Sequence, residues 1–192
     1  MEQVDTRVAY QNPWLSVRED TVRWPDGSTG IYGVIDKRDF ALVVPWDGAG
    51  FHLVEQFRYP VQERCWEFPQ GGWPPGSSGG SGLALAQAEL AEETGFTART
   101  WTRLGFLQAA PGVMSQYFDV YLASDLVAGA PSREVSEQDM RQKWVSASSL
   151  EQMIRSGELR DAHSIAAYGL FSLAMAGPRD EHDRDDQHSD DS

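Results

Sequence analysis

The sequence predicts an α/β layered fold in which mixed strands enclose a central helix and a second helical region closes the chain. Three observations carry this expectation: strand-like runs on both sides of residues 83–94, a helical period within them, and an apolar helical run near the C-terminus. The 192 residues suit one domain with a small appendage, and 41% apolar content is enough for a sizeable core.

In chain order, "WLSVREDTVRWPDGSTGIYGVID" reads as two strands around a turn at Pro25, Asp26 and Gly27, with apolar and polar residues alternating on either side. "FALVVPW" (Phe40 to Trp46) is a buried strand, and "DGAG" turns it into "FHLVEQFRYP". "RCWEFPQGG" is a further strand ending in a glycine-rich turn. "PPGSSGGSG" (Pro74 to Gly82) is a flexible loop feeding a helix over Leu83 to Thr94. Leu83, Ala86 and Leu90 share one stripe of that helix, and Gly95 stops it.

"WTRLGFLQA" and "QYFDVYLASDL" are strands flanking a "PGVMS" loop. "KWVSASSLEQMIRSGEL" joins a strand to a helix capped by Ser148 or Ser149, and "DAHSIAAYGLFSLAMA" is the closing helix. The expected divisions are residues 1–38 for an N-terminal strand pair, 39–176 for the main domain and 177–192 for a tail. The tail holds seven acids against two arginines and almost nothing apolar, so it is expected to be disordered.

A net charge of -13 argues against nucleic acid or an anionic membrane as the main partner, but not against a small phosphate ester. The N-terminus lacks the basic start and apolar core of a signal peptide, and no apolar run approaches the roughly 20 residues of a membrane span. A single cysteine, Cys65, forms no internal disulfide and fits a reducing, cytoplasmic setting. Its place in a strand-like run suits a half-buried strand residue better than a reactive thiol.

"QAELAEETGF" sets Glu89, Glu92 and Glu93 on one helix face with no positive charge in the stretch to balance them. They crowd toward the C-terminal end, where the helix dipole already disfavours negative charge. Three such glutamates alone suit a solvated acidic face. Oxygen ligands on one face also suit a hard divalent ion, chiefly Mg²⁺ or Mn²⁺, which would relieve both problems.

The context decides between them. "WEFPQGG", then "PPG", then "AELAEETGF" resembles the Nudix box, a loop–helix–loop that binds divalent metal to hydrolyse a diphosphate linked to another moiety. The resemblance is best over residues 41–96. It implies an α/β/α sandwich of mixed sheets with an N-terminal β-hairpin extension. It also implies Glu89, Glu92 and Glu93 as metal-binding glutamates and Gly71 as the residue whose backbone carbonyl joins them. Gly72, Gly95 and Phe96 match the opening and closing positions. Two positions depart from the pattern: Ala88 stands where the family has arginine, and Gly80 where it has glutamate. The loop is about two residues longer than usual. Those two family residues generally form an ion pair, and losing both leaves no orphan charge.

Several stretches resemble the ADP-ribose pyrophosphatase branch: "NPWLSVREDTVRWPDGSTGIYGVI", "VEQFRYPV" before "WEFPQGG", Pro111 sixteen residues beyond Gly95, and "GELRDAHSIAAYGL". The resemblance implies Mg²⁺-dependent cleavage of ADP-ribose to AMP and ribose 5-phosphate by a homodimer joined through the N-terminal strands. "WEFPQGG" also occurs in dinucleoside polyphosphate and RNA-cap hydrolases. A nucleotide sensor without hydrolysis is the rival of a different class.

The branch commonly takes its general base from an acidic loop after the late strands. Here that stretch is "SREVSEQDMRQKW", where Glu137 fits best and Glu134 is the alternative; a helix glutamate, Glu92 or Glu93, could also serve. Arg58 is the candidate cation for substrate phosphates, against an ordinary strand-edge salt bridge. Trp66 and Trp73 could stack on a base or pack in the core. His52 and His163 suit packing or surface roles better than ligation.

Overall fold

The computed structural model describes residues 1–133 and 138–177. The expected tail therefore lies outside the described residues, apart from Gly177, as do Glu134 and Glu137.

An N-terminal sheet runs in the order β1 (Glu2–Gln11), β2 (Leu15–Arg23), β3 (Thr29–Lys37), all antiparallel. The hairpin of β2 and β3 turns where the sequence places it, with Gly27 at φ 86. The N-terminal unit is one strand larger than a strand pair, because β1 adds to the free edge of β2. Every residue of β1 is exposed, so no burial period marks it. The sheet is tied to the body through a loop between late strands. Ile35 N–H donates to the Val113 carbonyl at 2.8 Å, and Ser115 N–H to the Ile35 carbonyl at 3.1 Å. That gives the "PGVMS" loop a structural role as an anchor.

The main domain holds two more sheets. One runs β10 (Arg141–Ser146), β5 (Gly50–Arg58), β6 (Glu63–Glu67); the other runs β7 (Gln70–Gly71), β4 (Phe40–Pro45), β9 (Tyr117–Val127), β8 (Thr97–Gln108). The pairing of β4 with β9 is parallel and the rest antiparallel, which makes the sheets mixed. The helices are α1 (Gly82–Thr94), α2 (Ala147–Ser156) and α3 (Ala162–Ala176).

Strand β4 explains the layering. Ala41 and Val43 face α1 with Leu85, Ala86 and Leu90, whereas Leu42 and Val44 join Phe51, Phe118 and Phe171 on the other side. A strand buried on both faces reads as a continuous apolar run, as "FALVVP" does. Fully burying each of these large side chains contributes about 1.5–3 kcal/mol. Helix α2 is capped by Ser146, whose Oγ accepts from Ser149 N–H at 3.1 Å, and not by Ser148 or Ser149. The helix therefore begins directly where β10 ends, two or three residues earlier than expected. Among the described residues no helix is long and apolar enough to cross a membrane.

Candidate active site

Helix α1 starts and stops by local chemistry. Ser81 Oγ accepts from Ala84 N–H at 3.1 Å, a cap contributing about 1 kcal/mol. Gly95 at φ 77 ends the helix in a left-handed turn, its N–H bonded to the Ala91 carbonyl. Docking Leu85, Ala86 and Leu90 on β4 also turns two of the three glutamates inward. Glu89 is 9% exposed and Glu93 fully buried, while Glu92 is half-buried.

Strand β7 brings Gly71 onto that face by pairing it with Ala41 of β4. Both carboxylate oxygens of Glu89 lie 2.5 Å from where a Cβ on Gly71 would stand. Only a glycine permits this approach. The result is a cradle in which a backbone segment and a carboxylate meet, with Glu92 and Glu93 one turn further along. All the donors are hard oxygens, the set that suits Mg²⁺ or Mn²⁺. Among the described residues no group of three or more acidic, His or Cys side chains is placed to hold a metal ion by itself. Mg²⁺ does not need one, because it keeps waters and takes phosphate oxygens from substrate. The residues present fit such an ion.

The C-terminal end of α1 is also supported from outside the helix. Arg133 Nε donates to the Glu93 carbonyl at 3.1 Å, Gln142 Nε2 to the same oxygen at 3.0 Å, and Ser132 N–H to the Glu92 carbonyl at 3.0 Å. A cation thus sits at the dipole's negative end, where the local sequence has none.

A cleft of about 770 Å³ opens beside the cradle, with Gly71, Gly72 and Trp73 on its wall. Trp14, Lys37 and Arg38 of the N-terminal region line one side; Arg58, Glu67 and Cys65 line another. Arg58 forms the salt bridge that was its alternative reading: Nη2 lies 2.7 Å and Nε 3.2 Å from Glu67 Oε2. Burial opposes its charge, but Glu67, Glu93 and Asp161 together hold its pKa above the ordinary value. Being on the cleft wall and paired are compatible, because the pair fixes the guanidinium plane.

Glu67 is 1% exposed, and burial outweighs Arg58 to raise its carboxyl above the ordinary range. Gln70 Nε2 bridges Glu67 Oε2 at 2.8 Å and Asp161 Oδ2 at 3.2 Å, and Asp161 caps α3. Sequence reasoning missed this network. Its signal was a charged residue inside the apolar run "WEFP".

The other candidates separate. Trp66 packs against the main core under Lys143 and is not a cleft residue, whereas Trp73 is. His52 lies on the Phe96 ring, with centroids 4.4 Å apart. His163 packs edge-on against Phe40 and Phe118. Cys65 is partly buried, and burial pushes its thiol up, away from reactivity.

Residues 1–35 match the family described as nucleoside diphosphate sugar hydrolase N-terminal domain. An ADP-ribose pyrophosphatase of Mycobacterium tuberculosis (strain ATCC 25618 / H37Rv) is 30% identical over 179 residues, spanning 90% of this chain and 82% of that relative. The chain belongs to the Nudix hydrolase family. It is most like the ADP-ribose pyrophosphatase branch. A second Nudix relative, ADP-ribose pyrophosphatase of Bacillus subtilis (strain 168), is 28% identical over 137 residues, 71% of this chain and 72% of its own. The Nudix fold is shared with a solved structure described as "Crystal structure of ADP compounds hydrolase", at a TM-score of 0.79 and 17% identity, over 92% of this chain and 96% of that one. In this Nudix frame α1 carries the residues that resemble the box, and the two departures from its pattern, Gly80 and Ala88, lie in the loop before it and on its half-buried side.

Proposed function

We propose that this chain hydrolyses the pyrophosphate of a nucleoside diphosphate sugar, foremost ADP-ribose, to AMP and ribose 5-phosphate, with Mg²⁺ or Mn²⁺ as cofactor. The observation that carries the reading is the Gly71–Glu89 cradle beside a cleft that Gly71 lines, in a chain similar over most of its length to ADP-ribose pyrophosphatases.

Gly71, Glu89, Glu92 and Glu93 would hold the ion. When bound, it offsets charge developing on the diphosphate and acidifies an attacking water. Arg58 orients the phosphates with a guanidinium already held in plane by Glu67. Glu137 takes the proton from the water, Glu134 being its alternative. Trp14, 65% exposed on the cleft rim, and Trp73 offer flat apolar faces to the nucleoside.

The functional unit is a homodimer. Val4, Val8, Tyr10 and Ile31 are all exposed on the N-terminal sheet, an apolar surface that a second copy of the chain would cover. The acidic balance and single cysteine support a cytoplasmic enzyme acting on a small molecule, with neither nucleic acid nor membrane as partner.

The test is a panel of ADP-ribose, GDP-mannose, NADH and a dinucleoside polyphosphate with Mg²⁺, comparing wild type with Glu93→Gln. Preferred turnover of ADP-ribose, lost in the variant, is expected. Tight nucleotide binding without turnover of any of the four would instead indicate a sensor.

A further inference from the structure

We infer that Trp73 is a positioning residue for the metal side of this site, its indole bracing the glycine-rich loop against α1 so that Gly71 stays on Glu89. The inference rests on the metal-binding reading above.

Trp73 follows the Gly71–Gly72 turn directly, and its ring reaches the far end of the loop it begins. A Cβ built on Gly80 would stand 2.8 Å from Trp73 Cζ2 and 3.4 Å from Cε2, and one on Gly79 would stand 4.0 Å from Cδ1. The indole therefore lies flush on the Gly79–Gly80 backbone, one residue before the Ser81 cap. The same side chain packs on the cluster of Leu85, Ala86 and Leu90 that docks α1 on β4. One ring thus lies against the far end of the loop it begins and against the core cluster that α1 shares with β4. Arg38 Nη1, 3.5 Å from the Pro74 carbonyl, holds the side opposite.

The loop needs such a brace. Gly76 and Gly79 both sit at positive φ, and a Gly-Ser stretch has much freedom to lose. The cradle depends on Glu89 and Gly71, on either side of this loop, lying so close that a Cβ on Gly71 would stand 2.5 Å from the carboxylate oxygens, so small motions at Gly71 would spoil it. A rigid aromatic side chain supplies contact area at little entropic cost. Gly80 is the other half of the device, because any side chain there would displace the ring.

The experiment is Mn²⁺ titration of the substrate-free protein by electron paramagnetic resonance, with amide hydrogen exchange over residues 72–82 recorded without metal. Trp73→Ala should weaken Mn²⁺ binding by roughly tenfold and accelerate exchange in the loop. Trp73→Phe should keep most of both. Gly80→Ala should weaken binding too, whereas adding it to Trp73→Ala should cost nothing more, because the methyl then meets only Ala84 Cβ, at an ordinary contact distance of 3.7 Å. Wild-type Mn²⁺ affinity and loop protection in folded Trp73→Ala would overturn the inference, as would full additivity of the two changes. Should Trp73→Ala fail to fold, unchanged affinity in Gly80→Ala overturns it equally. A wild type that binds no Mn²⁺ would remove the metal reading itself, and the role of Trp73 with it.

Discussion

Arg133 Nε donates to the Glu93 carbonyl oxygen at 3.1 Å, across a separation of 40 residues. Through Nη1 the same guanidinium reaches the Met140 carbonyl at 2.5 Å. It therefore holds the Met140 carbonyl and the C-terminal end of α1 together. One side chain offsets the helix dipole and also ties the residue before β10 to α1. Arg133→Ala should lower unfolding stability by about 1–2 kcal/mol, read as a shifted midpoint in urea. An unshifted midpoint would mean that the two bonds are replaced by water at no cost.

Gly71→Ala should impair metal-dependent turnover without unfolding the protein. The added methyl would stand 2.5 Å from both Glu89 oxygens, so the carboxylate must move. Metal affinity is expected to fall roughly 10- to 100-fold, seen as a higher Mg²⁺ requirement in a titration of ADP-ribose hydrolysis. Turnover at saturating Mg²⁺ should recover in part.

Glu137→Gln should lower kcat by roughly 10²–10⁴-fold with little change in KM. Glu134→Gln should be much milder. A reversal of the two would move the base to Glu134, and activity retained in both would return the role to the helix glutamates.

Glu67 makes stability depend on pH in a stated direction. Its folded pKa is raised above the ordinary 4.5 by burial, so the folded state holds the proton more tightly than the unfolded chain. That contribution is complete below about 4.5 and is lost as pH rises through the folded pKa. Glu67→Gln should remove this slope in urea melts taken from pH 4 upward. At pH 7 the variant should be at least as stable as wild type, because the neutral amide mimics the protonated carboxyl that this buried position favours. Parallel stability–pH curves for the two proteins would contradict the assignment.

Much of the fold was legible in local pattern. "FALVVPW" read as a buried strand, and Leu83 to Gly95 carry stripe and stop within one short stretch. The three glutamates and the Gly-Gly turn before them were legible as the metal site proposed above, because hard-ligand chemistry is written in residue type and spacing. Less legible were features whose partners lie far along the chain. Ser146 caps α2 because β10 ends there, which neighbouring serines obscured. Strand β1 forms on the edge of β2 without burying any of its own residues, so no apolar period announced it.

The residue order alone decided where α1 begins and ends, which of its faces is acidic and which glycines flank it, since capping, periodicity and backbone freedom act within a few residues. Packing decided that Glu89 lies on Gly71, that Glu67 is buried against Arg58, and that Arg133 closes the helix end. Those contacts join segments far apart in the chain, and only the shared burial of strands and helices around β4 brings them together.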